Sequence, residues 1–319
     1  MLSLKEVYRD YFQVGAAVNV PILEKRKDLI IQHFNTLTCE NDMKYAGLCD
    51  QNGNYHFENA DTLYQFAMEN GIAMRGHNLV WHQAIPEKAF EEMSKEALEA
   101  RICEHMQIVG ARYPALSCWD VLNEAVDDKH GTYLRDTVWR RKFGDDYYFR
   151  VYEMAREYLP GMQLVYNDYN EFMPEKRKYI LQFVTELKER GLVDAIGLQC
   201  HISVYSSYHL DEVRRTYELF AKLGLRLHVT ELDVALPEIV DPTVYTEAPP
   251  ALVEKQAQIY QELFAVFREY HEVIDSVTLW GVSDDQSWFN YFMHKRENWP
   301  LLFDKNGEPK EVFYRITQF

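Results

Sequence analysis

Two glutamates close short apolar runs that read as buried strands. They are Glu124 in Trp119-Asp120-Val121-Leu122-Asn123-Glu124, and Glu231 in His228-Val229-Thr230-Glu231-Leu232-Asp233. They lie 231 − 124 = 107 residues apart. A carboxylate at the C-terminal end of a strand is badly placed for folding and well placed for chemistry. Two of them, converging from distant strands of one barrel, are the minimum needed to cleave a glycosidic bond. Taken singly, Glu124 reads as an acid complementing a helix N-terminus, and Glu231 as one arm of a rim ion pair. Taken together, with Asn123 beside one and Asp233 two residues beyond the other, they read as a catalytic pair. Strand alternation places Glu231 and Asp233 on one side, so Asp233 could orient a group that touches Glu231. His201, on the adjacent strand, is the candidate.

The pair requires a scaffold that brings strand ends together. Apolar or β-branched runs at 12–18, 36–40, 72–77, 118–123, 163–167, 195–201, 225–231 and 276–281 read as strands. Helical stretches at 21–34, 61–70, 94–112, 174–190, 210–223, 250–270 and 311–317 alternate with them. Proline at the start of three of these and Gly71, Gly191 and Gly224 just past the ends of three are boundary signals. Eight strand-helix alternations predict parallel strands joined by crossover helices, closed as a (β/α)8 TIM barrel. No linker, repeat or charge block divides residues 1–319, which predicts one catalytic domain. The excess length lies in 125–145, 234–250 and 284–300, all following strands, where loops act as functional walls.

Composition narrows the class. The 319 residues are 47% apolar, with 34 basic and 50 acidic side chains and a net charge of −16. That balance, without a basic cluster, argues against nucleic acid or an anionic membrane as partner. It leaves the oligomeric state open. Five cysteines without a CxxC spacing suggest reduced thiols. Lys5, Glu6, Arg9 and Asp10 interrupt any apolar leader near Met1, and no run approaches a membrane span. A cytoplasmic location is expected.

The other strand ends collect Glu40, Asn41, Lys44, His77, Trp81, Asn123, Asn167, Gln199, His201 and Trp280, with Trp288 shortly after. Amides and charges that bond hydroxyls, mixed with indoles that stack on rings, are the composition of a carbohydrate cleft. His77, His82 and His201 invite a metal reading, but the first strand offers no His-x-His pair and His77 and His82 are five apart across a turn. Structural or sugar-contacting histidines are the better reading, and neither metal nor cofactor is expected. Trp119 is expected in the core, Trp139 and Trp299 against loops.

With these residues in place, the chain resembles the glycoside hydrolase family 10 xylanases. The resemblance runs through Glu40-Asn41-x-x-Lys44, Gly76-His77-x-Leu79-Val80-Trp81-His82, Trp119-Asp120-Val121-x-Asn123-Glu124, Asn167-Asp168-Tyr169-Asn170, Gln199-x-His201, Thr230-Glu231-Leu232-Asp233 and Trp280-Gly281-Val282-x-Asp284. It implies a retaining endo-1,4-β-xylanase acting on xylan or xylo-oligosaccharides, with Glu124 as acid/base and Glu231 as nucleophile. It makes His201 the hydrogen-bond partner of the nucleophile, held by Asp233. Asn123 would meet the 2-hydroxyl, and Glu40, Asn41, Lys44, His77, Trp81, Gln199, Trp280 and Trp288 would bind the glycone. Tyr45 stands where many relatives carry tryptophan, and the loop 290–299 has its own sequence; both bear on chain-length preference. Repulsion from ionised Glu231 is expected to hold the proton on Glu124. A barrel hydrolase for another β-glycan, or a sugar-binding barrel without activity, are the competing readings.

Overall fold

The computed structural model describes residues 2–206, 210–237, 242–292 and 295–319. Its strands are β1 (Gln13–Val18), β2 (Thr36–Cys39), β3 (Ala73–Gly76), β4 (Cys118–Asn123), β5 (Gln163–Asp168), β6 (Ala195–Leu198), β7 (His201–Ser203), β8 (Arg226–Ala235) and β9 (Ile274–Leu279). All pair in parallel in the order β6-β5-β4-β3-β2-β1-β9-β8, and β6 also pairs β8, which closes the cylinder. The short β7 continues the stave of β6 and pairs the far end of β8 through His201↔Asp233. Eight staves with helices between them form a (β/α)8 barrel.

Local chemistry explains the boundaries. Asn19 accepts the Ile22 amide at 3.0 Å and Pro21 follows it, so the helix Val20–His33 starts as a capped helix should. Ser94 caps Lys95–Arg112 through the Ala97 amide at 3.2 Å. Gly71, Gly191 and Gly224 all take positive φ just beyond helix ends. The crossover helices bury one stripe each; Pro174–Glu189 turns Ile180, Phe183, Val184 and Leu187 inward, the i, i+3, i+4, i+7 pattern. Each such side chain contributes about 1.5–3 kcal/mol on full burial.

Three expectations need correction. The stave expected at 195–201 breaks after Leu198, because Cys200 turns to φ +58°. The strand expected to end at Glu231 runs on to Ala235. The connection from β4 to β5 is helical in Val138–Phe143 and Tyr147–Tyr158. The second of these is rich in aromatic residues that favour strands in isolation, and burial of Tyr148, Val151, Tyr152 and Ala155 on one face overrides that preference. Of the expected wall loops, residues 238–241 and 293–294 lie outside the described residues. Among the described residues, no helix is long and apolar enough to cross a membrane.

Candidate active site

The residues in and just beyond the C-terminal parts of the strands gather at one mouth of the barrel, and two of the staves are adjusted to aim them. In β4, Asp120 and Leu122 oppose consecutive residues Val165 and Tyr166 of β5, so β4 carries one extra residue. In β8, Val229 and Leu232 oppose Val277 and Leu279 of β9, again one residue too many. Such bulges shift the side-chain phase. Thr230 and Glu231, neighbours in sequence, therefore both reach the Asn167 side chain.

Glu124 stands just beyond β4 at φ +56°, a conformation uncommon for a residue with a Cβ. Its amide donates to the Asn167 carbonyl at 2.9 Å, and Arg135 Nε donates to its carbonyl at 3.1 Å. The carboxyl, 8% exposed, receives Trp81 Nε1 at 2.9 Å, Gln199 Nε2 at 3.1 Å and Asn123 Nδ2 at 3.2 Å. Burial pushes its pKa up to about 7, with the charge of Asp168 adding to it. The Gln199 and Trp81 donors oppose the rise, and the Glu231 charge is the smallest contributor. The expected dominance of Glu231 repulsion is thus corrected: a dry pocket and Asp168 do more. Asp168 is itself fully enclosed, paired with Lys176 at 3.1 Å and bonded by the Tyr166 hydroxyl.

Glu231 is equally buried, at 5% exposure. Asn167 Nδ2 donates to Oε1 at 2.8 Å and His201 Nε2 to Oε2 at 3.2 Å. Burial works to raise its pKa, but the His201 hydrogen bond and the positive field of His77, His201 and Lys44 outweigh it, leaving it below the ordinary value. His201 Nδ1 lies 2.9 Å from Asp233 Oδ1. With a carboxylate on each ring nitrogen, His201 is held as imidazolium; burial opposes this, yet Asp233 and Glu231 lift its pKa to about 10. Trp288 Nε1 donates to the other Asp233 oxygen at 2.8 Å.

Two side chains link the two carboxyls. Asn167 Nδ2 donates both to Glu231 and, at 2.8 Å, to Asn123 Oδ1, while Asn123 Nδ2 donates to Glu124. Thr230 Oγ1 fixes the Asn167 oxygen at 2.7 Å. A Cβ at position 197 would lie 2.3 Å from that oxygen, so β6 needs Gly197 where Asn167 passes.

The expected glycone side is assembled next to the pair. Lys44 Nζ bonds Asn41 Oδ1 at 2.9 Å and lies 4.9 Å from the Trp81 ring centroid and 5.9 Å from that of Trp280. Glu40 receives Asn19 Nδ2 at 2.9 Å, and burial raises its pKa. His77 is held by Asp120 at 2.9 Å, which Arg75 clamps from below. Trp280 meets His77 edge-on at 5.3 Å, and Trp288 lies 5.2 Å from His201. Each histidine weighed as a metal ligand has a different partner: Asp120 for His77, Gln83 for His82, and Glu231 with Asp233 for His201. Among the described residues no group of three or more potential ligands converges on a metal position.

Several participants have tasks that their place in the sequence does not reveal. Asn167 and Asp168 end β5, but their tasks depend on contacts with β4, β8 and Lys176. Asp120 and Arg75 look like core charges in sequence and serve as the mount for His77. Trp119 is buried as expected; Trp139, also buried, donates to the Trp81 carbonyl at 3.1 Å and so steadies a cleft wall.

Comparison with known proteins identifies the family. Endo-1,4-beta-xylanase A of Caldicellulosiruptor saccharolyticus is 44% identical, the alignment covering 100% of this chain and 96% of that protein. Endo-1,4-beta-xylanase of Geobacillus stearothermophilus is 40% identical over 99% of this chain and 98% of its own. A solved structure of a mutant in complex with xylotriose superposes with TM-score 0.96 at 40% identity, covering 100% of both chains. The crystal structure of endo-1,4-beta-xylanase from Caldicellulosiruptor owensensis gives 0.95 at 42%, again over 100% of both. The Glycosyl hydrolase family 10 model matches residues 3–319, and the chain, a glycoside hydrolase, belongs to that family.

Proposed function

We propose that residues 1–319 form one catalytic unit, an endo-1,4-β-xylanase that hydrolyses xylan or short xylo-oligosaccharides with retention. Glu124 is the acid/base and Glu231 the nucleophile. The observation that carries this reading is the opposite tuning of two buried carboxyls linked through Asn123 and Asn167. Relatives named as xylanases and a neighbour complexed with xylotriose support it.

The mechanism follows from protonation states. Glu124 keeps its proton to about pH 7 and delivers it to the departing glycosidic oxygen. Glu231, ionised and aimed by His201 and Asn167, attacks the anomeric carbon and forms a glycosyl ester. Esterification removes the Glu231 charge, so Glu124 then releases its proton more readily and activates the hydrolytic water. Asn123 contacts the 2-hydroxyl. Glu40, Asn41, Lys44, His77, Trp81, Gln199, Trp280 and Trp288 hold the glycone, Lys44 and Trp288 leaving no room for a hydroxymethyl arm.

Proton NMR of xylotetraose digestion tests the whole reading. Shorter xylo-oligosaccharides with the β-anomer appearing first are expected. First appearance of the α-anomer would overturn retention, and equal specificity constants on cello-oligosaccharides would overturn the substrate assignment. We also propose cytoplasmic action on short oligosaccharides, supported by five unpaired cysteines, four of them buried. Recovery of the protein from culture medium would contradict this location.

A further inference from the structure

The break between β6 and β7 lies between the partners of both carboxyls. Gln199 donates to Glu124 and His201 to Glu231, and Cys200 separates them at φ +58°. Gln199 is tied to the barrel on both sides, its amide donating to the Asp168 carbonyl at 3.0 Å and its carbonyl accepting the Glu231 amide at 3.1 Å. Between these ties lies the Cys200 amide, in a residue only 1% exposed. That amide donates to Glu171 Oε1 at 3.0 Å.

Glu171 follows β5 and is itself 1% exposed. The Thr216 hydroxyl lies 3.3 Å from its carbonyl, sharing its one hydrogen with the nearer Glu212 carbonyl at 2.7 Å, and Arg177 Nη1 donates to that hydroxyl at 3.1 Å. The titratable groups at its carboxyl are Cys200 and His201, and burial raises its pKa to about 7. Burying a carboxyl to receive a backbone amide is a costly solution for folding alone, where a neutral acceptor would suffice. Either protonation state retains an oxygen that can accept the amide.

We propose that Glu171 is a positioning residue for the hydrolysis: by accepting the Cys200 amide it locks the left-handed turn and aims Gln199 at Glu124 and His201 at Glu231 together. One acceptor thus governs both carboxyls. The inference rests on Glu124 and Glu231 being acid/base and nucleophile.

The experiment is the pH dependence of kcat/KM on xylotetraose for the wild type and Glu171→Leu, Glu171→Asp and Glu171→Gln, with Tm measured for each. Loss of the Gln199 bond raises the pKa of Glu124, and loss of the His201 bond raises that of Glu231. Both limbs should therefore move to higher pH in Glu171→Leu, with kcat down about 100-fold for misplacement on the scale of an ångström. Glu171→Asp withdraws the acceptor by one methylene and should move both limbs the same way, by less, which keeps the test decisive if the leucine variant does not fold. Glu171→Gln preserves the acceptor and should restore both limbs. Lower activity with unmoved limbs in the leucine or aspartate variant, or limbs displaced equally in the glutamine variant, overturns the positioning role. An inactive wild type would instead overturn the underlying reading.

Discussion

Glu124 and Glu231 are the same residue type, both buried at the mouth of one barrel, and their surroundings push them in opposite directions. Glu124 is met by neutral donors, Trp81, Gln199 and Asn123, with the Asp168 anion near enough to raise its pKa. Glu231 is met by the His201 imidazolium and lies in the field of Lys44 and His77. Burial disfavours the charged form on both sides; the sign of the neighbouring charges separates them. Divergent tuning of two carboxyls is what the proposed division into acid and nucleophile requires, and it needs no difference in side chain.

The strongest way to break this contrast is to remove one member. Glu231→Ala should cost about 10⁴-fold or more in kcat with Tm retained, since no other group can form the ester. Near-normal turnover in that variant would refute the nucleophile assignment. Glu124→Ala should lose about 10²–10⁴-fold on xylo-oligosaccharides but spare the first step on aryl glycosides with acidic leaving groups. Equal losses on both substrates would remove Glu124 as the acid.

Subtler changes sharpen the contrast. His201→Ala strips the donor that holds Glu231 below its ordinary value, so the acidic limb of kcat/KM should move to higher pH. A stationary limb would mean that another group controls the nucleophile. Asp168→Asn should have the smallest effect on rate at the optimum. The anion raises Glu124, so its removal lowers that pKa and should bring the basic limb to lower pH. Movement in the other direction would contradict the electrostatic account.

The strand pattern and the meeting of His201 with Glu231 and Asp233 were legible because they depend on local alternation and on polar residues interrupting apolar runs. The source of the Glu124 shift was not. Asp168 lies 44 positions away in sequence, 168 − 124, and acts through space from another stave. The helix Tyr147–Tyr158 was hidden because its aromatic composition suits a strand as well as a buried helix face.

From its order of residues this chain specifies eight staves, their crossovers and the chemistry carried to one rim, since periodicity and side-chain type are local properties. The phase of those side chains was decided only on closure of the barrel. The extra residues of β4 and β8 exist only relative to their partner strands, so no single strand reveals them. They bring Thr230 and Glu231 onto the same Asn167, and the barrel's interior, by excluding water and gathering charge, then holds the proton on one glutamate and keeps the other ionised.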